Sequence, residues 1–365
     1  MNDIIFSVLS GKNVYGTLWS WGNNSNGQLG DGTINFQNSP VKIGSDSWLM
    51  ASAGGVHSLG IKNDDTLWSW GGNDYGELGD GTDGFMTEKY SPVQIGSDTW
   101  IMVSAGASHS LGLKTDGTLW SWGRNNNGQL GDGTNDNRNS PAQVGSDTWL
   151  MVSAGDRYSL GIKTNGTLWG WGFNSSGQLG DGTTTSRNSP VQIGSDSWTM
   201  VDGWSIHSLG IKTDGTLWSW GGNFAGQLGD GTNGSGTNKN SPVQVGSDTW
   251  IMVSGGLYHS LGLKTDGTLW SWGFNYFGQL GDGSNTDRNS PVQVGSDTWI
   301  MVGGGDNHSL GLKTDGTLWS WGFNQFGQLG DGSNTDRNSP VQIGSDTWTM
   351  ADAGSEYSLA LKTVS

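Results

Sequence analysis

Residues 117–123 read Gly-Thr-Leu-Trp-Ser-Trp-Gly, and this septet or a near relative of it occurs seven times in the chain. Its first tryptophan falls at Trp19, Trp68, Trp120, Trp169, Trp218, Trp270 and Trp319, in steps of 49, 52, 49, 49, 52 and 49 residues. One residue separates the two tryptophans of each septet. A strand, with its two-residue side-chain period, therefore puts both on one face. A β-type unit recurring every roughly 40–50 residues is the signature of propeller blades. No such unit buries its apolar face alone. The 365 residues are therefore expected to form one domain, 1–365, with repeats starting near 16, 65, 117, 166, 215, 267 and 316.

Working outward from residue 117 gives four strands per repeat. Residues 118–122 (TLWSW) form the first, followed by a loop and a turn-rich GQLGDGT at 128–134. Residues 141–144 (PAQV) form a short strand opening on proline, where a missing donor costs least. A turn is expected at Gly145-Ser-Asp, then a nearly all-apolar strand, WLMVS at 149–153, and YSLGIK at 158–163. The small Ser and Gly of that last strand are expected to leave room for tryptophans of a neighbouring sheet. Thr-Asn-Gly, Thr-Asp-Gly in most copies, is a hairpin turn back to the next TLW.

The first septet lacks the preceding HSLGLKTD half, and that half stands alone at residues 357–362. The prediction is an all-β, seven-bladed propeller of four-stranded antiparallel blades, with N- and C-terminal strands sharing one blade to close the ring. Closure removes the edge strands that invite aggregation. Residues 1–10, with IIFSVL at 4–9, are read as a further strand competing for, or extending, the closing blade, or else as a flexible arm.

Composition fits this frame. The 65 glycines recur at fixed repeat positions, and the 22 tryptophans divide into two per W-x-W, one per S-D-[ST]-W and one extra, Trp204. Net charge is −16, and seven of the 17 basic residues occupy one repeat position, from Lys62 to Lys362. Nucleic-acid binding needs a clustered positive patch, so no nucleic-acid partner is expected. Without cysteine there are no disulfides or thiolate sites. The N-terminal stretch has an acid where a signal peptide wants a base, and no apolar run is long enough to span a bilayer. A soluble, cytoplasmic monomer without membrane contact or cofactor is the expectation.

The motifs Trp21-Gly-Asn-Asn-Ser-Asn-Gly-Gln-Leu-Gly30 and Gly54-Gly-Val-His57-Ser-Leu, repeated around the chain, resemble the regulator-of-chromosome-condensation repeat family. The resemblance covers nearly all of the chain and implies a seven-bladed propeller. Members of that family include small-GTPase exchange factors, a plant UV-B photoreceptor, inhibitors of secreted bacterial enzymes and bacterial scaffolds, and fold alone does not choose among them.

Departures between copies are therefore the informative positions. Residues 262–299 and 311–348 differ only at Tyr276/Gln325 and Val294/Ile343. Variation gathers at the x positions of W-G-x-N-x-x-G, at the two residues before the His of G-x-x-H, and between G-D-G and S-P. Strand parity sends all three loop types to one face, here face one, and the T-D-G and G-S-D turns to face two. Loops on a rigid frame commonly carry binding. Face one is thus the candidate binding face for a protein partner.

Its aromatic residues concentrate late in the chain, at Tyr258, Phe274, Tyr276, Phe277, Phe323 and Phe326. Tyr75, Phe173 and Phe224 precede them, and two loops carry three-residue insertions, one of which brings Phe85, Met86 and Tyr90. Trp204 and Arg157 complete the candidate set. The bland alternative is that these rings pack on neighbouring loops.

Five histidines, His57, His109, His207, His259 and His308, share one repeat position with Tyr158 and Tyr357. Tyrosine substituting without a compensating ligand argues for a hydrogen-bonded structural ring rather than metal. One Asp per G-D-G turn likewise falls short of the converging oxygens calcium needs. No catalytic constellation stands apart from the repeat, so no enzyme is expected.

The GTPase-exchange alternative lacks the family's wedge and basic tail. For UV-B sensing, the family's G-W-R-H-T tryptophan positions hold Gly55, Ala107, Asp156, Ser205, Leu257, Asp306 and Ser355, and only Arg157 matches its arginine. The other alternative is a recently amplified or designed symmetric propeller with no specific ligand. The main reading is a non-catalytic protein-binding scaffold.

Overall fold

The computed structural model describes residues 15–363, and the regular elements among them are all strands. They pair antiparallel in fours. In blade 1, residues 48–53 lie beside His57–Lys62, which lies beside Thr66–Gly71, which lies beside the front of Lys89–Ala105. The same order starts again at Trp100, Trp149, Trp198, Trp250 and Trp299. Blade 7 is built from both ends of the chain. Trp348–Ala353 pairs with Tyr357–Thr363, which pairs with Gly16–Gly22 from Gly16↔Thr363 to Gly22↔Tyr357, and Gly16–Gly22 pairs with the front of Gln37–Ala53. The seven-bladed ring with a shared closing blade is as predicted; residues 4–9 lie outside the described residues.

The connection between blades differs from expectation. The predicted G-S-D turn is a bulged bend inside a 17-residue strand such as Gln37–Ala53, with Gly44 at φ 62°. Trp48 is paired with Gly16 of blade 7 on one side and with Lys62 of blade 1 on the other. At six of the seven junctions one strand thus supplies the outer edge of one blade and the inner edge of the next, while between blades 6 and 7 the two edges are separate strands, Arg337–Gln342 and Trp348–Ala353.

The three tryptophans of each unit have separate roles. The second of W-x-W is fully buried and ties neighbouring blades together. Trp122 Nε1 donates to the Glu77 carbonyl at 2.8 Å and Trp171 Nε1 to the Gln129 carbonyl at 2.9 Å. The S-D-[ST]-W tryptophan packs edge-on against it, Trp100 and Trp122 having centroids 5.9 Å apart. That same Trp100 covers Gly112, where an added Cβ would sit 2.6 Å from the indole. The space left by that glycine is therefore filled by a tryptophan of the same blade, not of a neighbouring sheet. The third, Trp120, is half-buried and stacks under Lys114 at 3.4 Å from the ring centroid. The lysine also pairs with Asp98 at 2.8 Å.

The histidine position forms an inter-blade ring. His57 Nε2 bonds Ser110 Oγ of the next blade at 2.8 Å, His259 reaches Ser309 at 3.0 Å, and Tyr357 closes the series onto Ser58 at 2.8 Å. Burial pushes His57, His109, His259 and His308 down to about 3 and His207 to about 4, so the imidazoles stay neutral. The G-D-G aspartates act as turn formers: Asp132 Oδ1 accepts from the Thr134 N–H at 2.9 Å while Oδ2 pairs with Arg138 at 2.8 Å.

Strand directions place the loops as parity predicts. The W-G-x-N, G-D-G and G-x-x-H loops share face one, and the T-D-G and G-S-D turns share face two.

Candidate functional site

Inner strands from the whole ring surround a cavity of about 30 Å³, room for roughly one water. Its wall is a relay of side chain to backbone. Ser52 accepts from the Ala105 N–H at 3.1 Å, Ser104 from Ala154 at 2.9 Å and Ser153 from Gly203 at 3.0 Å. Blades 4 and 7 put Asp202 and Asp352 in the serine place, accepting from Gly255 and Ala53, each at 2.9 Å. Burial raises both carboxyls, Asp202 to about 6. This axis is a packed structural element, so recognition chemistry has to be sought on the loops above it.

Around the mouth, the G-x-x-H loops hand hydrogen bonds from blade to blade. Gly55 N–H donates to Gly106 O at 3.1 Å, Ala107 to Gly155 at 3.3 Å, Asp156 to Trp204, and Ser355 to Gly54 at 3.2 Å. The glycine leading each loop is needed for this approach: a Cβ at Gly54 would lie 2.5 Å from the Gly106 oxygen. Trp204 stands in that glycine place in blade 4, and there the series changes. Trp204 Nε1 reaches past blade 5 to Asp306 of blade 6, donating to Oδ1 at 2.7 Å. Burial, opposed by that bond, raises the Asp306 carboxyl to about 6. The extra tryptophan is thus a latch over the mouth, half-buried, and Asp306 is its counterpart, which the repeat pattern did not single out.

Farther out, the predicted late aromatics come together. Phe277 of blade 5 and Phe323 of blade 6 have centroids 4.7 Å apart, and Phe323 meets Phe326 at 6.1 Å. Phe326 continues edge-on to Phe36 of blade 7 at 5.4 Å. In the other direction Phe277 meets Phe274 at 6.3 Å and Phe274 meets Tyr258 at 6.4 Å. Tyr276 stacks on Phe274 with planes 13° apart and stands 67% exposed. The result is a continuous arc of rings over three successive blades.

Phe36 was missed by sequence reasoning, although a signal existed. Its repeat equivalents Asn137, Ser186, Asp287 and Asp336 each accept the N–H of a loop asparagine, at 2.9, 3.3, 2.8 and 2.8 Å. A phenylalanine there gives up that cap and extends the arc.

The remaining predicted residues stand elsewhere. Tyr75 lies under the Arg124 guanidinium at 4.6 Å, across the junction of blades 1 and 2. Phe85 and Met86 are 83% and 78% exposed on the inserted loop, Met86 at φ 66°. Tyr90 is not at that loop's tip. It is the second residue of the outer strand of blade 1, its ring covers Gly27 of blade 7 and its carbonyl accepts from the Gly32 N–H at 2.7 Å, a packing position held by asparagine in other copies. Phe173 is half-buried on blade 3, and Phe224 is exposed on blade 4. Arg157 pairs with Asp156 at 3.4 Å.

A second departure that sequence reasoning passed over is Glu77. It replaces the glutamine of G-Q-L-G, is 1% exposed and accepts from the Tyr75 N–H at 2.8 Å. Burial raises it to about 7 despite that bond.

Comparison with known proteins agrees with this geometry. The family model described as the RCC1-like domain matches residues 96–364, and the regulator of chromosome condensation (RCC1) repeat matches residues 15–61 and 64–113. The fold is similar to Prp20p of Saccharomyces cerevisiae, at TM-score 0.87 and 22% identity, covering 98% of this chain and 95% of that one. It is also similar to human WBSCR16, at TM-score 0.86 and 20% identity, covering 95% and 99%. In sequence the chain is 32% identical over 124 residues to the ultraviolet-B receptor UVR8 of Arabidopsis thaliana, a match spanning 32% of this chain and 28% of the receptor.

Proposed function

The chain belongs to the regulator of chromosome condensation repeat family, and on that footing we propose that it is a non-catalytic scaffold binding a protein partner through the loops of face one. The observation that carries this reading is the arc of rings from Tyr258 to Phe36, because clustered aromatics are the usual anchors of protein interfaces. Protein binding is also on record among structural relatives: Prp20p has binding properties to Gsp1p and histones, and yeast RCC1 has been seen with Kap60 bound. The buried histidines are held neutral by their burial and engaged with serines, which suits a frame rather than acid–base chemistry.

The test changes Phe274, Tyr276, Phe323 and Phe326 together to Ser and compares proteins captured by this variant and the parent. Loss of the captured partners with an unchanged melting temperature supports the reading. Undiminished capture sinks it, and an absence of any captured protein favours a symmetric propeller without a selected ligand.

Similarity to the ultraviolet-B receptor makes UV-B sensing the second reading. Against it, the one tryptophan outside the repeat, Trp204, is held by Asp306 one place before the expected position. Oligomer size unchanged by UV-B illumination dismisses it.

A further inference from the structure

Two equivalent grooves on the rim of face one differ in a way that points to a ligand. Between blades 2 and 3 a groove of about 450 Å³ is lined by Asn127, Asn135, Ser186, Arg187 and Asn188, among others. Between blades 5 and 6 the matching groove, about 330 Å³, has Phe277 in the place of Asn127 and Asp336 in the place of Ser186. The remaining polar wall is the same, with Asn285, Arg337 and Asn338 standing where Asn135, Arg187 and Asn188 stand.

The arginine of each groove is already engaged. Arg337 donates to Asp331 at 2.7 Å, and Arg187 to Asp181 at 2.8 Å. Those pairs cancel, so the blade 2/3 groove is neutral, whereas Asp336 leaves the blade 5/6 groove with a negative charge. Asp336 accepts only the Asn324 N–H among the hydrogen bonds of the described residues, at 2.8 Å, and lies exposed. Its second oxygen has no cation beside it in the described residues. A π-face and a carboxylate on the walls of one groove attract the same kind of group, a cation with an apolar stem. Glu356 of blade 7, bonded to Asn23, and Asp306 of blade 6, bonded to Trp204, are further carboxylates of the face-one loops.

We infer that the groove between Phe277 and Asp336 takes a lysine or arginine side chain of the partner protein, while the adjoining aromatic arc takes that partner's neighbouring apolar residues. This rests on the face-one scaffold reading and narrows it: the partner presents an extended, cationic and apolar segment. Charge complementarity selects this occupant, since an acidic segment would meet Asp336 while the groove's arginine is already paired with Asp331.

The experiment is selection of a random 12-residue peptide display library on the immobilised full chain, followed by fluorescence polarisation with the enriched peptides. Peptides carrying Lys or Arg beside Leu, Ile or Phe are expected. Their affinity should fall about tenfold or more with Phe277→Asn or Asp336→Ser, and should weaken as salt rises. Both variants carry the residue already present in the blade 2/3 groove, and a melting curve checks that they remain folded. The reciprocal change, Asn127→Phe with Ser186→Asp, should create a second but weaker site, since Arg124, Asn126 and Ser176 stand there in the places of Phe274, Tyr276 and Phe326. Peptides that lose binding with Phe323→Ser but are acidic, or are indifferent to Asp336→Ser, overturn the cationic groove and leave the scaffold reading standing. Peptides indifferent to every face-one change overturn both, as does a library that yields no binder.

Discussion

The two faces of the ring are made by the same seven repeats, yet they have diverged to different degrees. On face two the Lys–Asp pair recurs in every blade, at 2.7 to 2.8 Å. Six of those lysines sit 3.3 to 3.5 Å from the centroid of a W-x-W tryptophan, and only Lys362 over Trp19, in the closing blade, stands off at 5.0 Å. On face one the loops hold phenylalanine in one blade and asparagine in another on the same backbone, as Phe277 and Asn127 do. Repetition alone explains face two. It does not explain face one, where each departure is a local choice laid on a frame that did not need it.

If that contrast is right, damage to the shared frame should dwarf damage to either surface. Trp122→Ala removes a fully buried indole and its bond to the Glu77 carbonyl, and should cost about 3–5 kcal/mol. Denaturant titration measures it; a cost under about 1 kcal/mol would mean that the blades are not held together by this layer.

A departure that works against the frame should be correctable. Glu77→Gln restores the residue of the other copies and removes a buried carboxyl. The folded Glu77 titrates near 7, above its ordinary 4.5, so the folded state holds the proton more tightly. Its penalty is absent below about pH 4.5, grows as pH rises, and is complete above about 7. The variant's stability relative to the parent should therefore rise by about 2–3 kcal/mol between pH 4 and pH 8. An amide left without a partner, as those of Gln129 and Gln178 are, subtracts the same amount at both ends of that range. Melting temperatures across pH 4–8 decide this, and a gain equal at both ends contradicts it.

The smallest effect belongs to face two. Lys163→Ala breaks an ion pair with the 60%-exposed Asp147 and a contact 3.4 Å from the Trp169 centroid, and should cost less than about 1 kcal/mol. A cost that grows at high salt would show packing by the lysine stem, not charge, to be its main contribution.

The ring, its blade count, its shared closing blade and the sorting of loops between faces were legible because each follows from a repeat period and a strand parity. The histidine ring was legible because Tyr158 and Tyr357 substitute within it. Less legible was anything that depends on a meeting between blades. Phe36 is a single ring in an otherwise polar loop, and only Phe326 beside it gives it meaning. Asp306 belongs to a variable pair of residues, and its role needs Trp204, 102 positions earlier in the chain. Tyr90 read as a loop aromatic, because the glycine it covers lies in another blade.

The shared strands have a consequence for how the molecule comes apart. A strand such as Lys89–Ala105 closes the outer edge of one blade and opens the inner edge of the next, so no blade owns all four of its strands. Linear repeat arrays melt piecemeal, fraying from terminal units that have one neighbour. Here blade 7 is stitched from both ends of the described chain, and opening any blade withdraws a strand from the one beside it. Amide exchange should accordingly show one cooperative unit for the inner strands of all seven blades, with only the face-one loops opening on their own.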